Sequence, residues 1–226
     1  MNESLATHYL EDSMASLRAY KKLAEKALDQ LNEDEFFITL DEEGNSVAVI
    51  MKHMAGNMFS RWTDFLTTDG EKPSRNRDME FVIDPKTGKD AVLDYWHSGW
   101  QCVFNALEPL RAEDLGKKVL IRGEEHTVIQ AINRQLMHYA NHIGQIVFLA
   151  KHFRSADWKS LSIPRNRSAE FNQELLTTKT PKVAEMKRHD LEPKKRLKPF
   201  VVPFSWRSRR LGGYFLKEVK SKCFSV

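Results

Sequence analysis

The stretch TVIQAINRQLMHYANHIGQIVFLAKHF, residues 127–153, decides the fold class. Its apolar side chains recur at helical spacing, and Ile132, Leu136, Ile143 and Ile146 form one stripe. Thr127 stands where an N-cap belongs, so the spacing predicts a long helix from about Val128 to Phe153. His138 and His142 lie four residues apart inside it. At about 3.6 residues per turn they project from one edge of the stripe, in line with Ala131, Gln135 and Leu149. Two imidazoles so placed can share one divalent ion, at about 2.0–2.1 Å per nitrogen. HxxxH alone is a weak pattern, and no HExxH of a zinc-protease helix occurs. A third ligand must come from elsewhere. His53 is the best candidate, with His97 and His126 as competitors.

Working back from that helix, KKVLIRGEEHTV alternates at Val119 and Ile121 and then turns at Arg122-Gly123-Glu124. It reads as a small β-hairpin or an extended crossover. Before it, a third helix is expected from Gly88–Asp90 to about Leu110, with Val92, Leu93, Trp96, Trp100, Val103, Phe104 and Leu107. Residues 67–87 mix Gly, Pro and charge and read as a long loop, a kind of segment that is often functional. A second helix, capped by Asn45 or Ser46, should run to about Leu66 with Ile50, Met51, Met54, Met58 and Trp62 on its stripe. His53 sits at the edge of that stripe, in line with Ser46, Asn57 and Asp64. Residues 4–31 have helical spacing as well. Four amphipathic helices with little strand describe an all-α four-helix bundle over residues 1–172.

Several side chains share the histidine edges. Asn57, Arg61 and Asp64 on the second helix and Gln135 on the fourth are candidates to hydrogen-bond the imidazoles or line a cleft. Arg61 and Asp64 read equally well as an i, i+3 ion pair. Trp96 and Trp100 are expected in the bundle core, and Cys102 as a small core residue.

Composition narrows the function classes. With 41% hydrophobic and 29% charged residues, the chain should bury a core and stay soluble. No apolar run is long enough to span a membrane, and MNESLATHYLEDS does not have the pattern of a signal peptide. Two cysteines exclude a Cys-based zinc site and fit a reducing cytoplasm. The net charge of +4 conceals an asymmetry: residues 176–226 hold fourteen Lys/Arg against four acids, or +10, which leaves −6 for the rest. Residues 173–226 are expected to form a basic extension, irregular or partly disordered. Only that tail offers a surface for nucleic acid, which is not the expected partner.

HYANHIGQI preceded by VLIRGEEHTV resembles the DinB/YfiT-like metalloprotein superfamily, and KHMAGNMFSRWTDFLTTDGEKP is similar to the second helix of one uncharacterised bacterial branch of it. The resemblance covers roughly residues 5–172. It implies that His53, His138 and His142 bind a divalent metal, zinc or nickel. It further implies a metal-dependent thiol S-transferase, joining a low-molecular-weight thiol to an electrophile. A three-histidine site keeps an open position, and a cation turns a thiol beside it into a nucleophile. Hydrolysis, and a stress-related metal-binding role without turnover, are the alternatives. By the same analogy a homodimer is admissible.

Overall fold

The computed structural model describes residues 3–176, and a compact unit ends at Ala169. Four helices build it: α1 (Glu3–Leu28), α2 (Val47–Trp62), α3 (Lys89–Leu107) and α4 (Val128–Arg154). A two-stranded antiparallel hairpin, β1 (Lys118–Ile121) and β2 (Glu124–Thr127), precedes α4. The fold is therefore an all-α bundle with a small β-hairpin. Residues 168–176 are helical. Of the basic extension, residues 177–226 lie outside the described residues.

Local chemistry sets the helix ends. The Ser46 hydroxyl accepts the Val49 N–H at 3.2 Å and starts α2. At α4, Thr127 accepts the Gln130 N–H while the Gln130 side chain accepts the Thr127 N–H, a reciprocal capping box. Three helices stop earlier than the stripe suggests. α1 ends at Leu28, α3 at Leu107 and α2 at Trp62 instead of Leu66. Apolar residues beyond these ends, Leu31 and Phe65 among them, still reach the core from turns, which prolongs the pattern past the helix.

α2 packs chiefly on α3, α1 chiefly on α4, and α2 also meets α4. Close approach of α2 and α3 depends on Gly99, where a Cβ would lie 3.0 Å from the Ala55 Cα. Trp96, Trp100 and Phe104 then stack up one side of α3, and the Trp100 ring sits 5.5 Å from the Tyr139 ring of α4. Each large ring removed from water contributes about 1.5–3 kcal/mol. Because partners surround α2, most of its length is buried, including four polar residues: His53, Asn57, Ser60 and Arg61.

In the hairpin, Val119 and Ile121 of β1 face the core. Its turn residues, Arg122 and Gly123, have φ of 58° and 76°, the positive pair that a two-residue primed turn requires. Asp69 holds this turn: its carboxylate accepts the Arg122 N–H at 2.8 Å and the Gly123 N–H at 2.6 Å. The Gly70 N–H donates to the Leu120 carbonyl at 2.8 Å. The 67–87 loop is thus fastened to the hairpin, and it returns over α2 through a short 3-10 turn, Asp78–Phe81.

Candidate metal centre

His53 on α2 and His138 and His142 on α4 converge, each offering one ring nitrogen within 4.8 Å of the others. The helical i, i+4 spacing places the α4 pair with Nε2 atoms 3.1 Å apart. The His53 ring centroid lies 5.5 Å from His138 and 5.0 Å from His142. The register between the two helices is fixed nearby, where the Trp62 indole N–H donates to the Tyr139 hydroxyl at 2.9 Å.

Two of the three rings are oriented by an oxygen acceptor. His53 Nδ1 donates to Glu80 Oε2 at 2.8 Å, in a contact that is almost fully buried. His142 Nδ1 donates to Gln145 Oε1 at 2.9 Å. An oxygen acceptor at Nδ1 favours the tautomer with its proton there and the lone pair on Nε2. That is the tautomer a metal-binding imidazole with an outer partner adopts. Glu80 is itself gripped by Arg75, whose Nε and Nη2 donate at 2.8 and 2.9 Å. Gly56 makes room for this carboxylate, because a Cβ there would lie 2.4 Å from Glu80 Oε1. Lys52 Nζ clamps the turn that carries Glu80, donating to the Met79 and Val82 carbonyls at 2.8 and 2.6 Å.

The electrostatics favour neutral His138 and His142 and an ionised Glu80. Burial, then His142 and His53, push His138 down to about 3. Burial lowers His142 too, against the opposing bond to Gln145. Burial alone would raise Glu80, but the bonds from His53 and Arg75 and the Arg75 charge outweigh it and hold the carboxyl below its usual range. Four buried atoms around the cluster have no protein partner among the described residues: His138 Nδ1, Asn57 Oδ1, Gln135 Oε1 and Arg61 Nε. Each such atom costs about 1–3 kcal/mol, a concentration expected where a ligand completes the arrangement. Two nitrogens on one ion at about 2.0–2.1 Å can be no more than roughly 4.2 Å apart. The 3.1 Å pair meets that limit. Three imidazoles so placed form a group that could hold a metal ion.

The expected neighbours divide. Asn57 and Gln135 are buried and line a cavity of about 280 Å³ that opens beside His53 and His138. Arg61 lines it too, but its head turns to the Gly70 carbonyl and to Glu71, at 3.0 Å from the latter. The Arg61–Asp64 pair expected from spacing does not form. Asp64 follows the end of α2, takes φ of 47°, and lines a different groove with Thr63 and Thr68. It is no neighbour of the histidines, because the helical wheel that put it there stops at Trp62. The competing histidines lie elsewhere: His97 is half-exposed beside Glu25, and His126 is in β2. Glu80, Arg75 and Gly56 escaped the sequence reading. Within the loop, the weak signal was charge beside the aromatic Phe81, whose ring stacks on His53 at 4.9 Å.

No curated protein matches the chain. A family model described as "Protein of unknown function (DUF1572)" matches residues 4–167, from the first turns of α1 to beyond α4. The match spans the bundle, both helices that carry the histidines and the loop that carries Glu80, and the chain belongs to this family.

Proposed function

We propose that the chain is a DinB-like divalent-metal-binding protein, with His53, His138 and His142 as ligands and zinc or nickel as the ion. We further propose that it is a metal-dependent thiol S-transferase. One observation carries this reading: three imidazoles from two helices converge, and two of them have Nδ1 within hydrogen-bond distance of a side-chain oxygen. A bound divalent ion supplies a Lewis-acid centre that favours the thiolate form of a thiol beside it.

The chain's own residues have defined tasks. Glu80 holds the His53 ring and its tautomer, and Arg75 holds Glu80. Gln145 does the same for His142. The thiol comes from solution: Cys102, the free cysteine among the described residues, lies against Thr63 outside the cluster, and burial pushes its thiol up. The thiol S–H bond breaks and its proton goes to solvent, while the new sulfur–carbon bond forms at the electrophile as the electrophile's leaving group departs with its bonding pair. No helix among the described residues is long and apolar enough to cross a membrane.

Metal content of tag-free protein is the first test. About one zinc or nickel per chain is expected, falling to a small fraction in His138→Ala and His53→Ala. Equal stoichiometry in wild type and both variants sinks the reading. A thiol-conjugation assay, run on stripped and reloaded protein, then separates transferase from a binding role without turnover. Thiol-independent cleavage of an ester substrate would select hydrolysis instead.

A further inference from the structure

The cavity beside the histidines has an unusual wall. Its lining includes Arg61, Arg75, Arg77, Arg122 and Arg134 and contains no acidic side chain. These guanidiniums come from α2, the 67–87 loop, the hairpin turn and α4, so the fold gathers them at one place. Their compensation is incomplete. Glu71 is shared by Arg61, Arg75 and Arg122, at 3.0, 3.3 and 2.9 Å. Glu80 takes the remaining donors of Arg75. Arg77 stacks its guanidinium 4.9 Å from the centre of the Phe81 ring, and neither it nor Arg134 has an ion pair among the described residues. Asp69 spends its oxygens on amides of Glu71, Arg122 and Gly123. Five positive groups face two or three negative ones.

A second observation concerns Arg61, which lines the same space. Arg61 is 6% exposed, yet its Nε has no acceptor among the described residues. An oxyanion supplies acceptors for guanidiniums that line a cavity, whose forks match planar carboxylate or phosphate oxygens in pairs. At about 280 Å³ the space suits one small charged group, with the rest of the molecule reaching outward.

We infer that this cavity is an oxyanion subsite. It takes a carboxylate or phosphate group of the substrate and so sets the reacting atom beside His53 and His138. Arg77 and Arg134 supply the uncompensated charge. Arg61 lies beneath, with Glu71 fixing its angle. The placement of the reacting atom rests on the metal reading above; anion capture itself does not.

The test uses the full chain stripped of metal, titrated calorimetrically with malonate and with inorganic phosphate at constant ionic strength, with chloride as the control. Saturable binding of at least one of the two is expected. Arg134→Ala and Arg77→Ala, both exposed side chains, should each weaken it roughly ten-fold, the loss of one charge-assisted contact. Lys86→Ala, a surface lysine outside the cavity, should leave it unchanged. The tighter of the two ligands identifies the group. Absence of binding, or binding equal in wild type and both arginine variants, overturns the subsite; the latter result would trace the affinity to the basic tail. Zinc stoichiometry on the same samples reads the histidines separately. Arginine-dependent anion binding without zinc uptake would leave the subsite standing and remove the metal reading.

Discussion

Glu80 shows how much one side chain can decide. It is buried, it orients His53, and it neutralises Arg75, whose side chain is only 5% exposed. Glu80→Gln keeps the shape but leaves the Arg75 guanidinium only its 3.3 Å contact with Glu71, an acid it shares with Arg61 and Arg122. Loss of one partner of such a buried pair costs roughly 3–5 kcal/mol, to be read as a lower denaturant midpoint. Loss of the outer partner of a metal-binding histidine should also weaken zinc affinity about 10–100-fold in a competition titration. Unchanged values for both would show that Glu80 is a bystander. The histidines were legible in the sequence because helical spacing is a rule about angle, and angle is what a shared ion needs. Glu80 was not. It sits in an irregular segment with no period, and the contact to His53 exists only after the chain folds back over α2. Asp64 is the converse case, a residue placed by a wheel drawn beyond the helix that would have carried it.

At the scale of elements, α2 bears the greatest constraint. Its stripe pattern identified a core-facing helix, but its almost complete burial followed from four surroundings that no local pattern encodes: α3, α4, the short turn Asp34–Phe36 and the returning loop. Gly56 marks one of these contacts. In an isolated helix, Gly→Ala is favourable by about 0.5–1 kcal/mol. Here the new methyl meets Glu80 Oε1 at 2.4 Å, and that carboxylate is held at both oxygens by His53 and Arg75. Gly56→Ala should therefore lower zinc affinity while leaving far-ultraviolet circular dichroism unchanged. Equal affinity would mean that the loop yields freely. The hairpin was foreseen as one of two options. The Arg122-Gly123 turn and its grip by Asp69 selected it.

For the molecule as a whole, the depressed groups fix how stability responds to acid. The unfolded chain protonates His138 near 6.5, whereas the folded one resists until about 3, so unfolding takes up a proton between these values. Glu71 acts in the same direction. Burial would raise it, but Arg122 and Arg61 hold it near about 2, so its contribution is present above about 4.5 and lost as pH falls towards 2. Metal-free protein should thus lose urea resistance continuously from about pH 6.5 downwards. A midpoint that stays level to pH 4.5 would contradict the buried, neutral state of His138. The fold class was readable from four stripes and little strand. The pairing of α1 with α4 was less so, because it joins the two ends of the bundle. That pairing has a consequence for biosynthesis. His53 leaves the ribosome long before His138 and His142, and α2 with α3 is a local hairpin that can form early. The last helix to emerge brings two of the three imidazoles at once. A nascent or truncated chain therefore lacks the complete histidine cluster, and on the metal reading proposed above cation loading has to wait until synthesis has passed the final helix of the bundle.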